Sequence, residues 1–215
     1  MRKACFLDFC FDTGNVTLFP RPETEILVEK AVEYILSSGL PRPYILDIGT
    51  GCGNIAISLT KYLPSSRIVA LDISHSALRV ARENAEKYAV SDRIEFIQGD
   101  LLGALDAAYA LRFDLIVANP PYVSLRDFYS LSQAVKDEPY AALFGGPDGL
   151  RFYRRISRRA HYFMKNNAAL MLEAGYDQAA EVRKILENAG VYGDFEVYND
   201  YNGIQRIVKA RRVHG

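Results

Sequence analysis

The sequence predicts an α/β fold with a seven-stranded, mostly parallel β-sheet, an antiparallel last strand and an N-terminal β-hairpin. Short apolar runs alternate with amphipathic helical stretches along the middle of the 215-residue chain, which is the pattern of successive βα units. Near the C-terminus, two further strand-like runs flank a turn at Asp200-Tyr-Asn-Gly203. This pair is typical of an antiparallel hairpin at the edge of an otherwise parallel sheet.

The N-terminal part is interpreted as a hairpin and lead-in over residues 1–21, followed by the main domain over residues 22–215. Residues 4–19 alternate loosely between apolar and polar, and Asp12-Thr-Gly-Asn15 is a turn signal, so we place the hairpin turn there. Pro22 suits the first turn of a helix. That helix is expected to run to about Ser38 and to end at Gly39.

The main domain is predicted to contain seven strands and three further helices. The predicted strands lie at 44–48, 68–71, 94–98, 113–118, 168–173, 195–199 and 206–210, and the helices at 74–88, 150–163 and 177–189. Ser74 is the expected N-cap of the first of these helices. Residues 123–149 show no clear period, and long irregular segments in compact domains are often binding loops.

Composition narrows the class of protein. Lysine plus arginine equals aspartate plus glutamate at 26 each, whereas dedicated nucleic-acid binders usually carry a basic excess. The chain has three cysteines, Cys5, Cys10 and Cys52, and they are not spaced as the ligands of a metal site are. Such an odd, sparse set favours a reducing, cytoplasmic location. No apolar run approaches the ~20 residues of a membrane span. We therefore expect neither a nucleic-acid partner, nor a membrane partner, nor a metal.

A glycine-rich loop, Asp47-Ile-Gly-Thr-Gly-Cys-Gly53, lies between a predicted strand and a helix. The dinucleotide-binding fingerprint would place its third glycine where Asn54 stands, so a pyrophosphate is not the favoured ligand. A glycine loop opened by a strand-end acid suits a cationic ligand such as S-adenosylmethionine. Cofactor contacts are therefore expected from Asp47, Gly49, Thr50, Gly51, Cys52 and Gly53. A purely structural βα turn is the alternative.

Acidic residues also end the next two predicted strands. Asp72 can accept hydrogen bonds from both ribose hydroxyls of a nucleoside, or it can serve as a helix N-terminal acid before Ser74. Asp100 can accept from an adenine amino group with Leu101 against the ring, or it can be an ordinary loop carboxylate. Three successive strands that end in an acid, counting Asp47, support the binding interpretation of all three.

The tetrapeptide Asn119-Pro-Pro-Tyr122 follows the apolar run 113–118. Neither proline has an N–H for a strand ladder, so the strand ends there and holds the Asn and Tyr at its carboxyl end. Open α/β sheets bind their ligands at that end. An amide beside an aromatic face can hold a planar group that carries an NH2. A turn with a capping asparagine is the alternative.

In this order, the glycine loop, Asp72, Asp100 and the tetrapeptide resemble the class I methyltransferases, whose fold is Rossmann-like. More narrowly, the chain resembles the HemK/PrmC release-factor glutamine methyltransferases. The segments that narrow the resemblance are Phe19-Pro-Arg-Pro-Glu-Thr-Glu25, Asp137-Glu-Pro139 and residues 145–154, 172–178 and 200–208. The resemblance runs from about residue 6 to about residue 210. Relatives usually carry a helical domain ahead of the hairpin, so we expect weak capture of a protein substrate here.

The resemblance implies methyl transfer from S-adenosylmethionine to the side-chain amide nitrogen of a glutamine in a Gly-Gly-Gln segment of peptide chain release factors. It assigns catalysis to Asn119, Pro120 and Tyr122. It assigns substrate contacts to these residues together with Pro121, Arg21 and Glu23, and it places Asn119 at the cofactor as well. Two rival interpretations remain, a methyltransferase for amino groups of nucleic-acid bases and a non-catalytic S-adenosylmethionine-binding relative.

Overall fold

The computed structural model describes residues 3–213. The strands of this part are β1 (Lys3–Phe6), β2 (Phe9–Asp12), β3 (Tyr44–Ile48), β4 (Arg67–Asp72), β5 (Ile94–Gln98), β6 (Phe113–Ala118), β7 (Met164–Glu173), β8 (Tyr192–Asn199) and β9 (Gln205–Arg212). The α-helices are α1 (Pro22–Ser37), α2 (Asn54–Tyr62), α3 (His75–Lys87), α4 (Leu125–Ser130), α5 (Gln133–Lys136), α6 (Tyr140–Leu143), α7 (Arg151–Ser157) and α8 (Ala179–Glu187). None of the helices between residues 3 and 213 is long and apolar enough to cross a membrane.

Seven strands form one sheet in the order β5-β4-β3-β6-β7-β9-β8. Strands β3 to β7 pair in parallel, and β9 pairs antiparallel with both β7 and β8. The predicted fold class, with its antiparallel last strand, is confirmed. The chain extends the sheet from β3 through β4 to β5, then returns to the other side of β3 with β6. This reversal places a crevice at the carboxyl ends of β3 and β6.

Helices cover both faces of the sheet. Alternate strand residues point to opposite sides, so the apolar strands need a helical layer on each face to bury their side chains. Ile45 and Val117 belong to one core cluster, which they share with the apolar residues of α1 and α2. Leu46 and Ile116, each one position away, belong to a second cluster that includes residues of α7 and α8. Burial on both faces explains why β6 is apolar at nearly every position.

The N-terminal hairpin is real, but the predicted position of its turn is wrong. Strands β1 and β2 pair from Lys3↔Asp12 to Phe6↔Phe9, so the turn is Leu7-Asp8, and residues 12–15 follow the second strand. The earlier turn puts Ala4, Phe6 and Phe11 together on the buried face of the hairpin. Packing of these residues against the main domain therefore overrides the local turn signal.

Most of the remaining predicted elements are confirmed, with changes at their ends. The bounds of β3, β5 and β6 are as predicted, and the Ser74 hydroxyl caps α3 by accepting from the Ala77 N–H at 3.2 Å. Helix α7 ends at Ser157, six residues earlier than predicted, and a 3₁₀ turn follows at Ala160–Tyr162. Residues 123–149, which lacked a clear period, form the short helices α4, α5 and α6.

Candidate active site

A cavity of about 420 Å³ opens at the carboxyl ends of β3, β4, β5 and β6. Its wall includes the glycine loop between β3 and α2, the residues after β4 and β5, and Asn119 after β6. Of the residues predicted to contact a cofactor, those that line it are Gly49, Thr50, Gly51, Cys52, Asp72, Asp100, Leu101 and Asn119. Because β3 and β6 are neighbours at the strand-order reversal, their two motifs meet although 65 or more residues separate them in the chain.

The glycine loop is shaped by backbone conformations that favour glycine. Gly49 and Gly51 have φ of +77° and +56°, and a Cβ at Gly49 would meet nothing within 4 Å. The Gly49 and Thr50 N–H groups donate to the Leu71 carbonyl at 2.8 Å, which ties the loop to β4. The loop therefore presents bare backbone to the cavity.

Gly53 has a different role from the other two glycines. It adopts φ of +85° as the N-cap of α2, and a Cβ there would lie 3.2 Å from the Ala81 Cβ of α3. Gly53 does not line the cavity. The absence of a side chain there allows α2 and α3 to pack closely, and it does not serve the approach of a ligand.

Asp72 holds the glycine loop. Its carboxylate accepts from the Gly51 N–H at 2.8 Å and from the Ser74 N–H at 2.9 Å. Burial raises the pKa of Asp72, and these N–H donors oppose that rise by stabilising the carboxylate. Asp72, which is predicted to bind the ligand, thus also fixes the conformation of the glycine loop.

Asp100 and Leu101 form another part of the wall. The Asp100 carboxylate accepts from the Arg155 guanidinium at 2.8 Å, and this bond lowers the pKa of Asp100. Leu101 adopts φ of +52°, which is unusual for a residue with a Cβ. The pairing with Arg155, from α7, was not predicted from the sequence. It keeps the acid ionised beside the cavity.

Asp47 lies behind the loop and does not line the cavity. Its side chain is fully buried, and neither carboxylate oxygen has a hydrogen-bond partner. Burial raises the pKa of Asp47 to about 7. The buried hydroxyl of Thr50, which does line the cavity, is also without a partner. With the Asp47 carboxyl behind the loop and the Asp72 carboxylate in the cavity wall, the site favours a cationic ligand over an anionic one.

The Asp47 carboxyl gives a testable pH dependence. Its folded-state pKa exceeds the unfolded value of about 4, so its stabilising contribution is present below pH ~4 and is lost as the pH rises through about 7. Between pH ~4 and pH ~7, the free energy of unfolding of the unchanged chain should therefore decrease as the pH rises. In Asp47→Asn this decrease should be smaller, by up to about 1.4 kcal/mol per pH unit. Urea unfolding at several pH values measures this slope. Exposed Asp92→Asn is the control, and equal slopes in both variants would contradict the assignment.

A second cavity, of about 240 Å³, adjoins the first. Its wall contains the predicted substrate residues Arg21, Glu23, Asn119, Pro120 and Tyr122. Pro121, the remaining one, lines the larger cavity instead. The residues common to both walls are Leu18, Arg21, Asn119 and Ala142. Asn119 therefore stands where the two cavities meet.

The Asn119 amide is held at one end and unpartnered at the other. Its Nδ2 donates to the Thr24 Oγ1 at 3.0 Å, and its buried Oδ1 has no hydrogen-bond partner. Glu173, at the end of β7, is buried nearby. Burial raises the pKa of Glu173 to about 7, and hydrogen bonding from Thr24 and Asn119 opposes the rise. Sequence reasoning did not assign a role to Thr24 or Glu173, although Glu173 is another strand-end acid.

Arg21 is fixed by a residue far along the chain. Its guanidinium forms an ion pair with Glu138, whose other carboxylate oxygen accepts from the Phe19 N–H at 2.9 Å. The ion pair therefore joins residues 19–25 to residues 137–139 and holds Arg21 where it lines both cavities. Arg206, which was not predicted, also lines the second cavity and is paired with Asp200 at 3.0 Å.

Tyr122 lines the second cavity and is anchored through its backbone. Its carbonyl accepts from the Gln178 Nε2 at 3.0 Å. Burial raises the pKa of the phenol to about 12, so it stays neutral near pH 7. Gly145 and Gly149 pack so closely on this segment that a Cβ at Gly149 would lie 2.4 Å from the Tyr122 carbonyl oxygen.

The fold and these paired cavities define a methyltransferase with a Rossmann-like class I fold. Residues 24–142 match the family model of the Methyltransferase small domain. The chain is 41% identical to the release factor glutamine methyltransferase of Chlorobaculum tepidum over 95% of its own length and 70% of that protein. It is 42% identical to the protein of the same name from Burkholderia pseudomallei, over 96% and 72%. This chain belongs to the release factor glutamine methyltransferase family.

Solved structures independently support the fold. The hMettl16 catalytic domain, determined in complex with an RNA hairpin, aligns with a TM-score of 0.71 over 95% of this chain and 76% of that one. A methyltransferase from Pyrococcus furiosus aligns with a TM-score of 0.57 over 84% and 81%. Sequence identities are only 19% and 17%, so these likenesses establish the architecture alone.

Proposed function

We propose that this protein transfers a methyl group from S-adenosylmethionine to the side-chain amide nitrogen of the Gly-Gly-Gln glutamine in peptide chain release factors. The observation that carries the proposal is the buried, unpartnered Oδ1 of Asn119 at the junction of two cavities. A buried acceptor without a partner is costly unless a ligand supplies a donor. A primary amide supplies such a donor.

The larger cavity fits S-adenosylmethionine. A volume of about 420 Å³ is within the range of cofactor-sized sites. Gly49 and Gly51 offer bare backbone, Asp72 offers a carboxylate for ribose hydroxyls, and Asp100 with Leu101 offers an acceptor and an apolar face for adenine. Bound there, S-adenosylmethionine would supply an electrophilic methyl group on a sulfonium centre. The chain's own residues must bring the acceptor nitrogen to it.

The acceptor is a poor nucleophile, because an amide nitrogen shares its lone pair with the carbonyl. In the proposed mechanism, the Asn119 Oδ1 and the Pro120 carbonyl accept the two amide hydrogens, which fixes the direction of the lone pair. Tyr122 packs on the amide plane in the smaller cavity. The methylated nitrogen then loses one proton readily, so the mechanism requires no strong base before attack.

Thr24 is proposed as a positioning residue, because its Oγ1 holds the Asn119 Nδ2. Thr24→Val, which keeps the shape and removes the acceptor, should lower kcat about tenfold and leave the cofactor Kd unchanged. Thr24→Ser should restore most of the loss. Steady-state kinetics and calorimetry measure the two effects. A serine variant as impaired as the valine variant would show that Thr24 matters for packing and not for its hydroxyl.

The substrate assignment is tested by transfer of a tritiated methyl group from S-adenosylmethionine. Purified release factor should be labelled, and a release factor with the Gly-Gly-Gln glutamine changed to alanine should be labelled at least ~100-fold less. An RNA hairpin serves as the competing substrate class. Labelling of the RNA, or equal labelling of both release factors, would overturn the proposal.

A further inference from the structure

Two cysteines face each other across the N-terminal hairpin. Cys5 and Cys10 are directly opposite in the β1–β2 register, and their sulfur atoms lie 2.8 Å apart. Both thiols are free and exposed to solvent. The third cysteine, Cys52, is buried in the glycine loop, so it provides an internal comparison.

The pair occupies the type of register position at which side chains approach most closely. The Phe6↔Phe9 pair closes a two-residue turn and is therefore a hydrogen-bonded pair, so the next pair, Cys5↔Cys10, is a non-hydrogen-bonded one. Non-hydrogen-bonded pairs have Cα atoms about 4.5 Å apart. That separation is within the range of about 4.4–6.8 Å that a disulfide spans.

Backbone contacts of Cys10 agree with this assignment. The Cys10 N–H donates to the Tyr88 hydroxyl at 2.7 Å. The Cys10 carbonyl accepts from that hydroxyl at 2.7 Å and from the Lys87 Nζ at 2.6 Å. Both backbone groups of Cys10 thus turn away from β1 toward the end of α3. They leave the two sulfurs opposite each other on the exposed face.

The hairpin is held firmly by its other face. Phe9 and Phe11 pack on the Tyr88 ring at centroid distances of 5.2 and 5.6 Å. Asn84 of α3 accepts from the Asp12 N–H at 3.0 Å and donates to the Asp12 carbonyl at 2.8 Å. These contacts fix β2, and the buried Phe6 ring of β1 packs edge-on against the Phe11 ring of β2 at 6.2 Å. The two strands that carry the cysteines are thus held in their existing register, so a bond between the sulfurs requires no rearrangement of the backbone.

We propose that Cys5 and Cys10 form a reversible dithiol–disulfide site whose oxidant is a small-molecule disulfide such as oxidised glutathione. One cysteine thiolate attacks a sulfur of the oxidant, forms a mixed disulfide and releases one thiol. The other cysteine then attacks the protein sulfur and releases the second thiol. The protein gives up two protons and two electrons, and the oxidant is reduced to two thiols.

The bond would leave the cofactor cavity in place. Asn84 also donates to the Cys52 carbonyl at 2.9 Å, so it connects the hairpin to the glycine loop. Because the disulfide fits the existing register, this connection is not displaced. We therefore expect the affinity for S-adenosylhomocysteine to change by less than about twofold on oxidation.

The test equilibrates the full chain with mixtures of oxidised and reduced glutathione, traps free thiols by alkylation, and maps the products by mass spectrometry. The expected product is a Cys5–Cys10 disulfide that reduced glutathione reverses, with Cys52 alkylated only after denaturation. Burial raises the pKa of the Cys52 thiol to about 12, so this thiol is unreactive in the folded protein.

Single variants test the second step of the exchange. Cys5→Ser and Cys10→Ser each lack the attacking partner, so each should retain a glutathione adduct on the remaining cysteine. The wild-type chain should hold at least about tenfold less adduct, because its neighbouring thiol acts at high effective concentration. Separate adducts on both cysteines of the wild-type chain, disulfide-linked dimers, or no oxidation at all would each overturn the proposal.

Discussion

Asn119→Ala is expected to fold normally and to lose about 100-fold or more of its turnover. The substitution removes the unpartnered Oδ1 that is proposed to hold the acceptor amide. Loss of one such transition-state contact in a buried site typically lowers kcat by about 10²–10³-fold. The affinity for S-adenosylhomocysteine should fall by less than about fivefold, since the glycine loop and Asp72 are untouched. Single-turnover methyl transfer and calorimetry measure the two quantities separately.

The matched control is Asn202→Ala, in the exposed turn between β8 and β9, which should retain full activity. Asn119→Asp is a sharper probe, because it keeps the size of the side chain while placing a second carboxyl beside buried Glu173. It should be as inactive as Asn119→Ala. Full turnover in the alanine variant would remove Asn119 from the mechanism, whatever the aspartate variant does.

Asp72→Ala is expected to weaken cofactor binding by roughly 2–3 kcal/mol, or about 30–150-fold. The variant loses a charge-assisted acceptor at the end of β4. Calorimetry with S-adenosylhomocysteine measures the effect, and Asp92→Ala, which changes an exposed acid, is the control. An affinity equal to that of the unchanged chain would contradict the assignment of Asp72.

A second ligand separates the two roles of Asp72. The residue also accepts from the Gly51 and Ser74 N–H groups, so its removal could act through the loop alone. A 2′,3′-dideoxy analogue of the cofactor product has no ribose hydroxyls to donate. If Asp72 binds the ribose, Asp72→Ala should weaken this analogue much less than the parent compound. Equal weakening of both ligands would leave Asp72 as a loop anchor and refute ribose binding.

The sequence by itself determined the fold class and the motifs of the site. Strands such as β6 are continuous apolar runs, and such runs identify buried strands without knowledge of their neighbours. The glycine spacing, the strand-end acids Asp72 and Asp100, and the proline-terminated Asn119 segment are also local signals. Since parallel strands of an open α/β sheet end at the same edge, these signals sufficed to predict one shared site.

Only the tertiary structure decided which of these residues meet and what holds them. The hairpin turn lies at Leu7-Asp8 because its apolar side chains must face the core. Asp47 is buried behind the loop it opens. Thr24 holds Asn119 across 95 positions of the chain, and Glu138 holds Arg21 across 117. Sequence patterns report the conformational preferences of neighbouring residues, whereas these contacts depend on strand order and helix placement, which bring distant segments together.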